Sequence, residues 1–165
     1  MVKLLGSLCV LSGGVLVCWF RLIERRRQRT TLSELLNALR WMAEEIRMVR
    51  TPFPRLLSRL ERDCHSEART FFGEISAAVR KGDGLSSAWN TATQALPIPE
   101  KAKKVILELG NQLSGDEEKV YKVILIASNA LQKYMEDAEK IRPEEDKRAA
   151  ALSLSAAALL VILLI

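Results

Sequence analysis

Histidine is almost missing from the chain: His65 is the single copy among 165 residues. A metal centre needs three or four converging ligands. The Cys64-His65 pair brings no convergent partners with it, so it reads as a surface turn, with no metal and no cofactor expected. Cysteine is sparse too, with Cys9, Cys18 and Cys64 the only copies. An odd count without regular spacing excludes a disulfide framework and fits a reducing compartment. No Gly-x-x-x-x-Gly-Lys-Ser/Thr phosphate loop occurs, and Gly82-Asp83-Gly84 reads as a cap and turn. Glu44 with Glu45, and Glu144 with Glu145, are adjacent carboxylates. Neighbours on a helix point about 100° apart and do not share a site. Nothing pairs a nucleophile with a base. The sequence therefore predicts no enzyme.

Aromatic residues make up 5% of the chain, whereas Leu and Ala abound, which favours helix over strand. Strand-like alternation, internal repeats and low-complexity tracts are also missing. Charge of one sign is in excess in one place only. Six of the 25 basic residues and one of the 20 acidic ones precede residue 30, leaving nineteen of each in the remainder. The surplus is Lys3 and a short block formed by Arg21, Arg25, Arg26, Arg27 and Arg29. So local an excess, with no aromatic residue interleaved among the arginines of 21–29, argues against nucleic acid as a partner.

What is present is two long apolar runs, Leu4–Phe20 and Ala149–Ile165, each of seventeen residues without a charge. As helices they would be about 25 Å long, at the short end of what spans a bilayer core. A helix apolar on every side must be covered by a protein core or by lipid, and lipid is the better reading here. An enzyme working within the membrane would carry ionisable residues in such spans, and these have none. The first run could be the core of a signal peptide, but no small-x-small cleavage site separates it from the arginines. Neither Cys9 nor Cys18 has a lipid-attachment context. The basic block after the first run, and Arg142, Lys147 and Arg148 before the second, hold the intervening chain in the cytoplasm by the positive-inside bias. The same arginines are candidates for contact with anionic membrane lipids.

Residues 30–142 read as six helices. Thr31 and Glu34 form a capping-box pattern, followed by a stripe at Leu32, Leu35, Leu36, Leu39, Met42, Ala43, Ile46 and Val49. Thr51-Pro52-Phe53-Pro54 stops it, with Pro54 suited to a first helical position. The second helix carries Leu56, Leu57 and Leu60. Ser66 is placed to cap the third, whose face is Ala68, Phe71, Phe72, Ile75 and Val79, ending at Gly82. Asp83 is placed to cap the fourth, with Leu85, Ala88, Trp89, Ala92 and Leu96. Pro97 and Pro99 lead to the fifth, with Ala102, Val105, Ile106, Leu109 and Leu113, closed near Gly115. Asp116 opens the sixth and longest, to Ile141. Its middle, Val123–Ala127, is apolar on all sides, which predicts a path through the bundle centre. Pro143 then marks a joint before the second span.

The expected fold is thus all-α: a six-helix cytoplasmic bundle (30–142) flanked by N- and C-terminal transmembrane helices (1–20 and 149–165), with a basic juxtamembrane segment at 21–29 and a linker at 143–148. Gly6 with Gly13, and Ala151 with Ser155, permit close packing of membrane helices within the hairpin or between copies, so a homo-oligomer is an open alternative.

The order of features resembles one family. A terminal membrane helix and basic run lead to Leu36, Leu39, Glu45 and Ile46. Thr51-Pro52 follows, then Gly82-Asp83-Gly84 before Ala88-Trp89, Leu109-Gly110-x-x-Leu113, Gly115-Asp116, and a second membrane helix. Over its whole length the chain is similar to stage III sporulation protein AB of endospore-forming bacteria. That resemblance implies a domain like the cytosolic domain of platform protein F of type II secretion and type IV pili, single rather than duplicated. It further implies a place in the channel complex between mother cell and forespore, in the outer forespore membrane. Its partners there would be other membrane subunits of the channel and a cytoplasmic secretion-type ATPase, stage III sporulation protein AA. The alternative is a platform protein of a secretion or pilus-like system outside sporulation.

One face of the first helix is unusual. At about 100° per residue, Trp41 and Met48 fall opposite the apolar stripe, near Asn37 and Glu44. Trp and Met are enriched at interface cores, so these four are candidate residues for docking the ATPase. The alternative is that Trp41 and Met48 face a neighbouring helix.

Overall fold

A computed structural model of the chain describes the backbone of residues 2–49, 52–113 and 118–140, and their side chains except those of 2–15, 17, 18 and 49. Among these residues there are six helices and no strand: α1 (Val2–Val49), α2 (Phe53–Asp63), α3 (Ser66–Lys81), α4 (Leu85–Ala95), α5 (Glu100–Gln112) and α6 (118–140). Two compact units divide the chain. One is Arg27–Met135, and the other includes Met1–Arg26.

In the Arg27–Met135 unit, α2, α3, α4 and α5 pack in sequence, each against the next. The apolar stripe of α1 is the one the periodicity picks out: Leu32, Leu35, Leu36, Leu39, Met42, Ala43 and Ile46 are all buried. Leu56, Leu57 and Leu60 of α2, the Phe71-Phe72-Ile75 face of α3 and Ile106 and Leu109 of α5 complete the core. Trp89 of α4 sits in its middle, edge-on to Phe71 at 5.0 Å and to Phe72 at 6.2 Å between ring centroids. Two buried hydroxyls of α4 and α6 are satisfied within their own helices. Thr93 donates to the Trp89 carbonyl at 2.7 Å and Ser128 to that of Ile124 at 2.8 Å, the back-bonding that lets such residues enter a helix interior.

Five local expectations need correction. No helix starts at the Thr31–Glu34 capping box, because α1 runs unbroken through it. Thr31 is buried, and its hydroxyl donates to the Arg27 carbonyl one turn back at 2.9 Å instead of capping an N-terminus. At α3 the cap position is His65, whose carbonyl accepts the first bond from Arg69 N–H at 3.1 Å. At α4 it is Gly84 rather than Asp83, and neither helix has a side-chain cap. Asp83 is engaged in ending α3: its N–H donates to the Ala78 carbonyl while Gly82, at φ +100°, donates to that of Val79. This paired closure needs a left-handed residue, and glycine supplies it without strain. Pro54 stands one place inside α2, whose first helical residue is Phe53.

The fifth correction concerns α6, which is not a central helix. Ile124 and Ala127 are buried, Val123 and Leu125 are half-buried, and Ile126 is 69% exposed. One face packs inward and the other meets solvent. The expected boundaries at Gly115, Asp116, Ile141 and Pro143, and the run 149–165, lie outside the described residues. Among the described residues, no helix is long and apolar enough to cross a membrane; the backbone is helical throughout 4–20.

Ser66 has φ +49°, a left-handed conformation that costs an L-residue about 1–2 kcal/mol. Ser66→Gly should therefore raise stability by about 0.5–1 kcal/mol after glycine's greater chain entropy is deducted, and Ser66→Val should lower it. Thermal unfolding followed by circular dichroism checks both, and a destabilised Ser66→Gly chain would refute the strain.

Candidate functional site

Among the described residues no cluster of His, Cys, Asp and Glu is arranged to hold a metal ion. Cys64 closes α2, and its amide N–H donates to the Leu60 carbonyl at 2.9 Å. Burial first, then the nearby charges of Glu34 and Asp63, push its thiol from the ordinary 9.0 up to about 11. Since the thiolate is the reactive form, Cys64 is a structural residue. In a Cys9→Ser/Cys18→Ser chain, iodoacetamide labelling of Cys64 should rise with pH toward a midpoint near 11. A midpoint near 9 would show that the thiol is not held in this environment. His65 beside it is exposed.

Of the α1 residues singled out for docking, Asn37 and Glu44 are exposed and Met48 is 79% exposed. Trp41 is only half-exposed and packs against the core cluster. The four thus form a polar face with one protruding Met, its Trp partly used for packing. Glu44 and Glu45 diverge as helical geometry requires, for Glu45 pairs with Arg59 of α2 at 2.6 Å. Farther along α1, Arg40 donates to Gln132 of α6, and the Arg47 guanidinium lies 6.0 Å from the centre of the Tyr121 ring.

The five arginines of the basic block are all exposed. Arg27 belongs to the Arg27–Met135 unit, where its guanidinium donates to Glu67 at the start of α3. In the other unit, Leu16, Trp19, Phe20, Leu22 and Ile23 are large apolar side chains exposed around Arg21.

A second surface is only half visible in the sequence. Between α2 and α3 lies an open groove of about 480 Å³, lined by Pro54, Leu57 and Val79 and by four arginines, Arg55, Arg59, Arg62 and Arg80. Arg55, Arg59 and Arg62 recur at i, i+4 and i+7, on one side of α2, while Leu56, Leu57 and Leu60 are buried. That spacing is visible in the sequence. The contribution of Arg80 is not, because it depends on α3 packing alongside. Two of the arginines meet carboxylates: Arg59 pairs with Glu45, and Arg80 lies 4.0 Å from Glu61. Arg62 bonds the Ser58 carbonyl of its own helix at 3.3 Å. Among the described residues Arg55 has no side-chain partner.

The residues of the Ala88-Trp89 and Leu109-Gly110 motifs are structural. The Trp89 indole N–H donates to the Ile106 carbonyl at 2.9 Å, and the ring lies directly on the α5 backbone at Gly110.

A solved structure described as stage III sporulation protein AB superposes with a TM-score of 0.64 at 23% identity, covering 72% of this chain and 98% of the other. No curated protein matches the sequence. The profile of the family described as stage III sporulation protein AB matches residues 3–165. By that match, which takes in nearly every residue, the chain belongs to the stage III sporulation protein AB family.

Proposed function

We propose that this protein is a non-enzymatic membrane adaptor of the sporulation channel complex between mother cell and forespore. Two membrane helices, 4–20 and 149–165, anchor it in the outer forespore membrane, and the helical domain faces the mother-cell cytoplasm. The arginines of 21–29 lie against anionic lipid headgroups, and Asn37, Trp41, Glu44 and Met48 dock a cytoplasmic secretion-type ATPase, stage III sporulation protein AA. The observation that carries this reading is the family match, which takes in both charge-free runs as well as the domain. Support for the orientation comes from the arginines placed directly after the first run; Trp19 at its end is a residue type enriched at membrane–water boundaries, which fits a span ending there. The platform-protein alternative outside sporulation shares the domain type but not the family match.

The test is co-purification of the ATPase with the full-length chain from detergent-solubilised sporulating cells. The ATPase is expected to be retained by the native chain. It should be lost from a Glu44→Lys/Met48→Asp variant, whose substitutions fall on exposed positions and leave the core intact. Absence of the ATPase from the native complex would remove the adaptor role, whereas equal retention by the variant would move the docking surface elsewhere.

A further inference from the structure

We infer that the α2–α3 groove is a receptor for an acidic, leucine-containing segment of a protein partner, separate from the α1 face. Four guanidinium groups line this one recess, although residues 30–165 as a whole are electrically balanced. Glu45 and Glu61 offset two of these charges, which leaves the groove with a surplus of two. Arg55 has no partner among the described residues, and Arg62 holds only a carbonyl of its own helix. Guanidinium groups in this state are suited to carboxylates, with which they form paired, charge-assisted hydrogen bonds.

The floor decides between the possible anions. Pro54 and Val79 present apolar surface between the charged side chains, over the buried Leu57. A phosphate or a lipid headgroup has no use for such a surface. A peptide with apolar side chains between its carboxylates uses both the walls and the floor, as short acidic motifs do on arginine-bearing domains. The arginines also rise from two helices facing across a recess rather than from one flat face, which suits a chain segment better than a bilayer plane.

The experiment uses the full-length chain in detergent micelles and a fluorescent peptide of Glu-Glu-Leu repeats, with a Gln-Gln-Leu peptide as control. The native chain should bind the acidic peptide, more weakly as salt rises, and should not bind the control. Arg55→Glu/Arg62→Gln should weaken binding about tenfold or more by removing one charge and reversing another. Glu is favourable in the first turn of α2, so the variant should melt near the native temperature. If it does not fold, Arg80→Gln and the salt dependence of the native chain decide the matter. Equal binding by the variants, or equal binding of the Gln-Gln-Leu control, would overturn the proposal. So would displacement of the acidic peptide by phosphatidylserine added to the micelles, which would assign the groove to lipid. None of these readings depends on whether the ATPase co-purifies, so the groove and the adaptor role stand or fall separately.

Discussion

Gly110→Ala should lower the melting temperature of the domain by roughly 10 °C, a loss of about 2 kcal/mol or more. Glycine inside a helix ordinarily costs about 1 kcal/mol relative to alanine, so at an open position the same change would stabilise α5. At Gly110 the added Cβ would stand 2.2 Å from Cδ1 and 2.7 Å from Cγ of Trp89. Carbon atoms in good contact lie about 3.5–4.0 Å apart. The indole cannot swing aside cheaply. Its N–H is tied to the Ile106 carbonyl at 2.9 Å, and Phe71 lies edge-on with ring centroids 5.0 Å apart. Either the ring leaves its site, breaking a buried hydrogen bond, or α5 backs away from α4 and opens the core.

The two explanations of a low melting temperature, steric conflict and an unforeseen effect on α5 itself, separate in a double-mutant cycle. Trp89→Leu alone should cost several kcal/mol, toward the lower end of the roughly 3–5 expected for removing a buried aromatic side chain altogether. On that background Gly110→Ala should change sign and become neutral or mildly stabilising, because the ring it collides with is gone. Urea unfolding of the four chains, followed by far-ultraviolet circular dichroism, gives the coupling. An equal loss from Gly110→Ala with and without Trp89 would show that the indole is not what excludes the side chain.

That contact also shows where reading the chain by itself reaches its limit. Trp89 falls on the buried face of α4 by periodicity alone, and so does the stripe of α1. Each helix has one apolar side, and burial follows it. Gly110 carries no such signal, for its cause lies in a side chain 21 positions earlier that only tertiary packing brings onto α5. The run Val123–Ala127 failed for a related reason. Five apolar residues in a row erase the period, so nothing in them marks Ile126 as the position left in solvent. On the candidate site, the divergence of Glu44 and Glu45 was legible from helix geometry. The partial burial of Trp41 was legible only as the alternative that Trp41 and Met48 face a neighbouring helix; that Trp41 packs inward while Met48 does not depends on the core cluster. The arginine groove was half legible, in the spacing along α2. Its other wall required knowing that α3 lies beside it.

The start of the first domain helix is the sharpest such case, and Ser33→Pro measures it. If a helix began with Thr31 as its cap, Ser33 would be the second helical residue. Its N–H would be among those that have no partner inside the helix, and proline there would change little. In the observed α1, Ser33 is an interior residue of Val2–Val49. Proline would remove an internal hydrogen bond and press its ring against the carbonyl four residues back, at a cost of about 3 kcal/mol or more. Ser33 is exposed, so no core packing is lost with its side chain and the backbone effect is read alone. Ser33→Ala serves as the control, and should be neutral or slightly stabilising because alanine is the better helix former. A melting temperature lowered by roughly 4–8 °C per kcal/mol is the expected result for Ser33→Pro. The residues before Thr31 explain why the pattern misleads. Arg25–Thr30 contain neither Gly nor Pro, so nothing stops a helix arriving from the N-terminal side, and a buried Thr31 bonded back to Arg27 occupies the hydroxyl that a cap would need. A Ser33→Pro chain within about 1 kcal/mol of the native one would restore the break at Thr31 and divide α1 in two.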